Sequence, residues 1–168
     1  MSKTVTVRPA TPADAARLGS LGASLVALHH GFDPSRVIAP GGDTERGYGR
    51  FLVSELRRPG VVVLAAESAG EVVGYAYASL EGKDWMALRG PAGVIHDLVV
   101  DPARRREGIG ASLLAATIAA LTAQGAPRFV LSTAARNEDA QRFFAAAGFR
   151  PTMIEMTADA PGAAAQDA

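Results

Sequence analysis

Leu98-Val-Val-Asp-Pro-Ala-Arg-Arg-Arg-Glu-Gly-Ile-Gly110 is the stretch on which the reading of this chain turns. An apolar run over Val94–Val100 stops at Asp101-Pro102, and a short basic loop follows. Gly108 and Gly110 then open a helix with apolar residues at Ile109, Leu113, Leu114, Ile118 and Leu121. The order is strand, turn, glycine loop, helix N-terminus. Such a terminus carries unpaired N–H groups and a partial positive charge, and glycines let an anion approach the backbone.

Two common glycine loops do not fit. A Walker loop ends in Gly-Lys-Ser/Thr, whereas Ala111-Ser112 follow Gly110. A Rossmann fingerprint needs a third small residue where Leu113 stands, and it follows the first strand of a βαβ unit, whereas this strand is internal.

Working outward, Thr4–Arg8 alternates as a strand. Thr11-Pro-Ala-Asp14 is a helix start, and Leu18, Leu21, Leu25 and Leu28 continue the helix to about His30. Residues 31–42 form a loop, and a second helix runs from about Thr44 to Arg57. Val61–Glu67 and Val72–Leu80 make a hairpin around Ser68-Ala-Gly-Glu71. A longer loop over 82–93 holds Trp85. Beyond the signature helix, Phe129–Thr133 is a strand. Asn137 caps a helix that Gly148 ends, and Phe149–Thr157 contains a last strand. The order is β-α-α-β-β-β-α-β-α-β, a single α/β domain over residues 1–157. Residues 158–168 are small and polar and are expected to be a disordered tail.

The chain has 168 residues and 48% hydrophobic content, enough for one substantial core. Lysine plus arginine, 17, equals aspartate plus glutamate, 17, so no net field favours nucleic acid or an anionic membrane. Cysteine is absent, which excludes disulfides and thiolate chemistry. No apolar run approaches the ~20 residues of a membrane span. Met1-Ser-Lys-Thr leads straight into the first strand with no signal-peptide apolar segment, so a cytoplasmic location is expected. No His/Asp/Glu cluster has metal-ligand spacing, and no metal is expected.

Arg105-Arg-Glu-Gly-Ile-Gly110 resembles the Arg/Gln-x-x-Gly-x-Gly/Ala signature of the GNAT acetyltransferases. Asn137-x-x-Ala140-x-x-Phe143-Phe144-x-x-x-Gly148-Phe149 resembles a second block of that family. The order of elements is similar to the family fold across roughly residues 4–157. The resemblance implies a mixed, mostly antiparallel central sheet flanked by helices. It also implies acetyl-CoA as co-substrate. Leu98, Val99 and Val100 would hold the pantetheine arm. Arg105, Arg106, Glu107, Gly108, Ile109, Gly110 and Ala111 would hold the pyrophosphate, with Asn137 and Phe144 beside the cofactor. The bland alternatives are solvated arginines and a plain Asn137 helix cap.

Two departures from the family pattern matter. Many members carry a tyrosine where Phe144 stands, and phenylalanine cannot protonate a leaving thiolate. Some members acting on small amines read Ile-Glu-Asp-Leu where this chain reads Ile95-His-Asp-Leu98. His96 is therefore a candidate base, directly or through a water, with Asp97 as the other catalytic candidate. The alternative for His96 is a half-buried strand histidine satisfied by the backbone. Strand alternation would put His96 and Asp97 on opposite faces.

His29, Phe32 and Trp85 are candidates to bind the acceptor. Tyr48 could line the same cleft, and Glu67 and Glu81 are candidates for a remote base. The expected activity is acetyl transfer to a primary amine of a small molecule. The alternatives are a protein or peptide acceptor, and a non-catalytic acyl-CoA-binding domain. A homodimer is a further expectation.

Overall fold

The computed structural model describes residues 4–162. The chain forms two compact units. One combines the chain up to Leu25 with Gly42–Ser132. The other combines Val26–Gly41 with the chain from Thr133 onward.

The first unit is built on a five-stranded sheet in the order β1-β2-β3-β4-β5. The strands are β1 (Val5–Pro9), β2 (Val61–Ser68), β3 (Glu71–Glu81), β4 (Ala92–Val100) and β5 (Phe129–Leu131). β1 through β4 pair antiparallel, and β5 runs parallel to β4. Ala69 and Gly70 both take left-handed φ and close the tight β2–β3 hairpin read from the sequence. The parallel β4–β5 pair needs a crossover, which α3 (Ile109–Ala123) supplies.

Both faces of the sheet are covered. Leu18 and Leu21 of α1 (Ala15–Phe32) and Leu52 of α2 (Thr44–Glu55) pack in one core cluster with Val63, Ala65, Tyr75, Tyr77 and Val99. α3 buries Ile109, Leu113, Leu114, Thr117 and Leu121. The Thr117 hydroxyl donates to the Leu113 carbonyl at 2.8 Å, so its burial leaves no orphan donor.

The second unit holds the C-terminal part of α1 from Val26, the loop after it, and α4 (Glu138–Ala146). Gly148 has φ 93° and ends α4, as its position implied.

The last strand expected within Phe149–Thr157 does not form. Those residues have no regular structure and, from Arg150, are exposed, Met153, Ile154 and Met156 included. Pro151 has no N–H to give a ladder, and Arg150, Thr152 and Glu155 leave the segment no continuous apolar face. Of the expected tail, 158–162 is exposed without helix or strand, and 163–168 lie outside the described residues.

The start of α1 is anchored electrostatically. A 3-10 turn, Pro12–Asp14, precedes the helix. The Arg8 guanidinium donates to both Asp14 oxygens at 2.9 Å and to Glu67 at 2.7 Å. Asp14 also accepts from the Thr11 backbone N–H at 2.8 Å. Arg8 is the main reason the Asp14 carboxyl titrates at about 2, below the ordinary carboxylate range. A lowered native pKa stabilises the fold above the unfolded value, and that contribution is lost as pH falls through about 2. Asp14→Asn should therefore lower the melting temperature at pH 7. The gap from wild type should close as the pH approaches about 2. Thermal melts across that range check it.

Candidate functional site

β4 carries a bulge where the site lies. Tyr77 of β3 opposes Asp97, but the next residue, Ala78, opposes Ile95. His96 is the extra residue. A bulge breaks alternation, so the expectation that His96 and Asp97 face opposite ways is corrected. His96 stacks on Tyr77, with ring centroids 4.7 Å apart, and its Nε2 lies 2.8 Å from Ser79 Oγ. Asp97 receives the Tyr75 hydroxyl. Tyr75, Tyr77 and Ser79 share one face of β3 by their period of two. His96 and Asp97 therefore both look to that face.

Asp97 is buried and tied down. Its Oδ2 accepts from Tyr48 at 2.7 Å and from Tyr75 at 2.8 Å. Burial, followed by the charge of Asp97, raises both phenols above their ordinary range, so they remain donors. Tyr48 comes from α2 and reaches the sheet because residue 22 of α1 is glycine. A Cβ there would sit 2.2 Å from the Tyr48 ring. Asp97 thus locks α2 to the sheet beneath His96. Tyr77 is fixed in the same way, donating to buried Glu55 at 2.6 Å.

His96 is the accessible member of the pair, its side chain 32% exposed. Its Nε2 is 3.4 Å from Glu81 Oε1. Ser79 donates to that same Glu81 oxygen at 3.0 Å, and Arg89 holds the other at 2.7 Å. Beside His96 the sheet opens. β4 and β5 pair only over Gly93–Ile95 with Phe129–Leu131. Among the described residues the β5-side edge of His96–Val100 has no strand partner. The cleft between the two strands, about 170 Å³, is lined by Val94, Ile95, His96, Val130, Leu131 and Ser132.

Leu98, Val99 and Val100 continue β4 from the bulge to the glycine loop, with Val99 buried in the core. The loop begins at Asp101, which accepts from the Ala103 N–H at 2.9 Å and pairs with Arg17. Those contacts hold its carboxyl below the ordinary range. Arg104 is spent on Glu107, through bonds of 2.8–3.0 Å, and on Ser68. Arg105 and Arg106 are exposed, and among the described residues neither forms an ion pair. Gly108 has φ 79° and open space where a side chain would stand. Ile109 is buried and seats the helix. As first helical donors, the N–H groups of Ile109, Gly110 and Ala111 have no intrahelical partner.

The remaining candidates lie on other segments of the chain. Trp85 projects from the β3–β4 loop, 76% exposed, with Lys83 over its ring. Glu67, on β2 and two strands from β4, is held by Arg8 of β1 at 2.7 Å. Asn137, Phe144, His29 and Phe32 belong to the second unit. There Asn137 caps α4, accepting from the Ala140 N–H at 3.2 Å. Phe144 packs edge-on to Phe143 and Phe149. His29 and Phe32 form an edge-to-face pair, and the Phe32 carbonyl accepts from Arg136.

Sequence reasoning missed Tyr75, Ser79 and Arg89. The available signal was Tyr75-Ala-Tyr77-Ala-Ser79, where alternation with alanine gathers the three hydroxyl side chains on one face.

The family model for "Acetyltransferase (GNAT) family" matches residues 27–149, and the chain belongs to that family. A mycothiol acetyltransferase of Clavibacter michiganensis subsp. michiganensis is 29% identical over 98 residues. The match covers 58% of this chain, and the chain spans only 29% of that relative's length. The fold is also that of solved structures. An aminoglycoside N-acetyltransferase, AAC(6')-Iy, in complex with CoA superposes with a TM-score of 0.71 at 18% identity, covering 95% of this chain and 97% of that one. Glucosamine-6-phosphate N-acetyltransferase from Arabidopsis thaliana gives 0.69 at 18% identity, over 94% and 99%. A transcriptional regulator from Bacillus halodurans C-125 gives 0.73 at 20%, over 93% and 99%.

The Asp97 anchor has a direct check. Tyr75→Phe removes the fully buried donor to Asp97 and should cost about 1–3 kcal/mol of stability. Chemical denaturation would show the loss as a lower midpoint at unchanged slope. Equal midpoints would mean that Asp97 does not need this donor.

Proposed function

We propose that this chain, as one domain over residues 1–157, transfers the acetyl group of acetyl-CoA to a primary amine of a small molecule, by direct attack in a ternary complex. One observation carries the reading. A single strand, β4, links the His96 bulge at an open cleft to a glycine-opened helix N-terminus. About 13 Å of strand separates positions 96 and 100. An extended pantetheine arm could lie along that edge, thioester near His96 and pyrophosphate at Gly108–Ala111. The residues fit an anionic, extended ligand: exposed Arg105 and Arg106, open space over Gly108, and a strand that runs on past the end of β5.

Acetyl-CoA would supply the thioester, whose C–S bond breaks as the amine nitrogen forms its bond to the carbonyl carbon. The protein must supply the rest. An alkylammonium has a pKa near ~10.4, so at pH 7 fewer than about one amine in a thousand is neutral. His96, or a water it holds, takes the ammonium proton and frees the nucleophile. A β4 backbone N–H would donate to the developing oxyanion. Phe144 has no proton to give. A thiol pKa near ~8.5 makes the thiolate a tolerable leaving group without one, and the second proton that the nitrogen sheds in becoming an amide passes to solvent. Support for a small acceptor comes from the folds shared with an aminoglycoside and a glucosamine-6-phosphate acetyltransferase. The reading retains a cytoplasmic location. It also retains a homodimer, for which exposed Trp85, Met86 and Leu88 offer an apolar patch, and light scattering checks that state.

Two variants test the reading. Gly110→Glu sets a like charge at the phosphate position and should abolish acetyl-CoA binding, read by calorimetry. Unchanged affinity would remove the phosphate assignment. His96→Ala should lower turnover on an amine panel by ~10²-fold with acetyl-CoA affinity nearly intact. Wild-type turnover would move the base elsewhere.

A further inference from the structure

We propose that Glu81, acting through Ser79, is a positioning residue that fixes the tautomer of His96 and leaves Nδ1 as the ring nitrogen that accepts the proton. This rests on the reading of His96 as the base and goes beyond it, because the choice of nitrogen follows from hydrogen-bond arithmetic. A serine hydroxyl has one proton. Ser79 Oγ donates that proton to Glu81 Oε1 at 3.0 Å. The 2.8 Å contact between Ser79 Oγ and His96 Nε2 must then run the other way, with the ring donating. Glu81 Oε1 also lies 3.4 Å from Nε2, where a lone pair would be repelled and an N–H attracted. Neutral His96 thus carries its hydrogen on Nε2. Among the described residues no hydrogen bond reaches Nδ1.

The carboxylate is itself held in place. Arg89 donates to Glu81 Oε2 at 2.7 Å and lies 3.7 Å from Asp84. The backbones of Arg89 and Asp84 bond each other twice at 2.9 Å. Asp84 accepts from the N–H groups of Met86 and Ala87, which shapes the turn carrying Trp85. The β3–β4 loop, with no assigned role in the sequence beyond Trp85, is thus a bracket for Arg89. Arg89 turns one Glu81 oxygen away and presents the other to Ser79 and His96. Tyr77 supports the ring from below through the 4.7 Å stack. When the acceptor's ammonium passes its proton to Nδ1, the N–H bond of the amine breaks and a ring N–H forms. The resulting imidazolium keeps Nε2–H directed at Ser79 and Glu81. A base oriented by a third group is a recurring catalytic arrangement.

The test reads tautomer and turnover together. Long-range proton–nitrogen NMR of histidine-labelled protein at about pH 8.5, where imidazole is neutral, reports which nitrogen is protonated. Wild-type His96 should carry its proton on Nε2. Glu81→Gln keeps the shape and removes the charge, and Ser79→Ala removes the bridge. Both should mix the tautomers and lower kcat by about tenfold or more, with KM for acetyl-CoA within about twofold of wild type. A wild-type ring protonated on Nδ1 overturns the proposal, as do two variants with unchanged tautomer and kcat. A tautomer that shifts while kcat stays at the wild-type value overturns the positioning role through the base reading itself, which His96→Ala checks separately. If Glu81→Gln does not fold, Ser79→Ala, which deletes one oxygen, carries the test.

Discussion

The arrangement depends on one extra residue in one strand. With His96 inserted between Ile95 and Asp97, β4 changes face relative to β3. Ile95 goes to the α3 side, and Asp97 turns to the tyrosines on the other. Without the bulge, His96 and Asp97 would be separated by the thickness of the sheet. With it, a buried carboxylate anchors the same backbone segment that presents an accessible imidazole. The bulge sits where β5 stops pairing, so the side chain it re-aims borders the cleft between the strands.

That backbone irregularity is stabilised by polar groups that are individually satisfied. Asp97 would be costly to bury alone, and two phenols from different elements remove the cost. Glu55 is matched by Tyr77 and Arg58 in the same manner. The polar ends of Tyr48, Tyr75 and Tyr77 thus decide where α2 lies over the sheet. Their rings contribute to the core beneath the candidate site. Stability and site geometry share these residues, so a variant in this layer is expected to change both.

The sequence made the sheet, the helices and the glycine loop legible because each has a local signature. Apolar periodicity marked α1 and α3. Ala69-Gly70 marked the hairpin, and Gly108 marked the helix start. The bulge has no such signature. Ile95-His-Asp-Leu98 sets two polar residues in succession, and only the register with Tyr77 and Ala78 reveals which is the extra one. Ser79 and Arg89 were invisible for the same reason, since their role comes from cross-strand neighbours 17 and 8 positions from His96 and Glu81. The strand expected after Gly148 failed because a short apolar run beside Pro151 has β-propensity without a partner ladder.

The central claim is that β4 from His96 to Val100 and the start of α3 form one continuous acetyl-CoA site. Hydrogen–deuterium exchange with and without acetyl-CoA tests it most directly, because it reads the backbone groups that the claim assigns. The account predicts slowed exchange at residues 96–100 and 108–111, with β1 and β2 unchanged. Protection confined to other segments, or none at saturating acetyl-CoA, would contradict it.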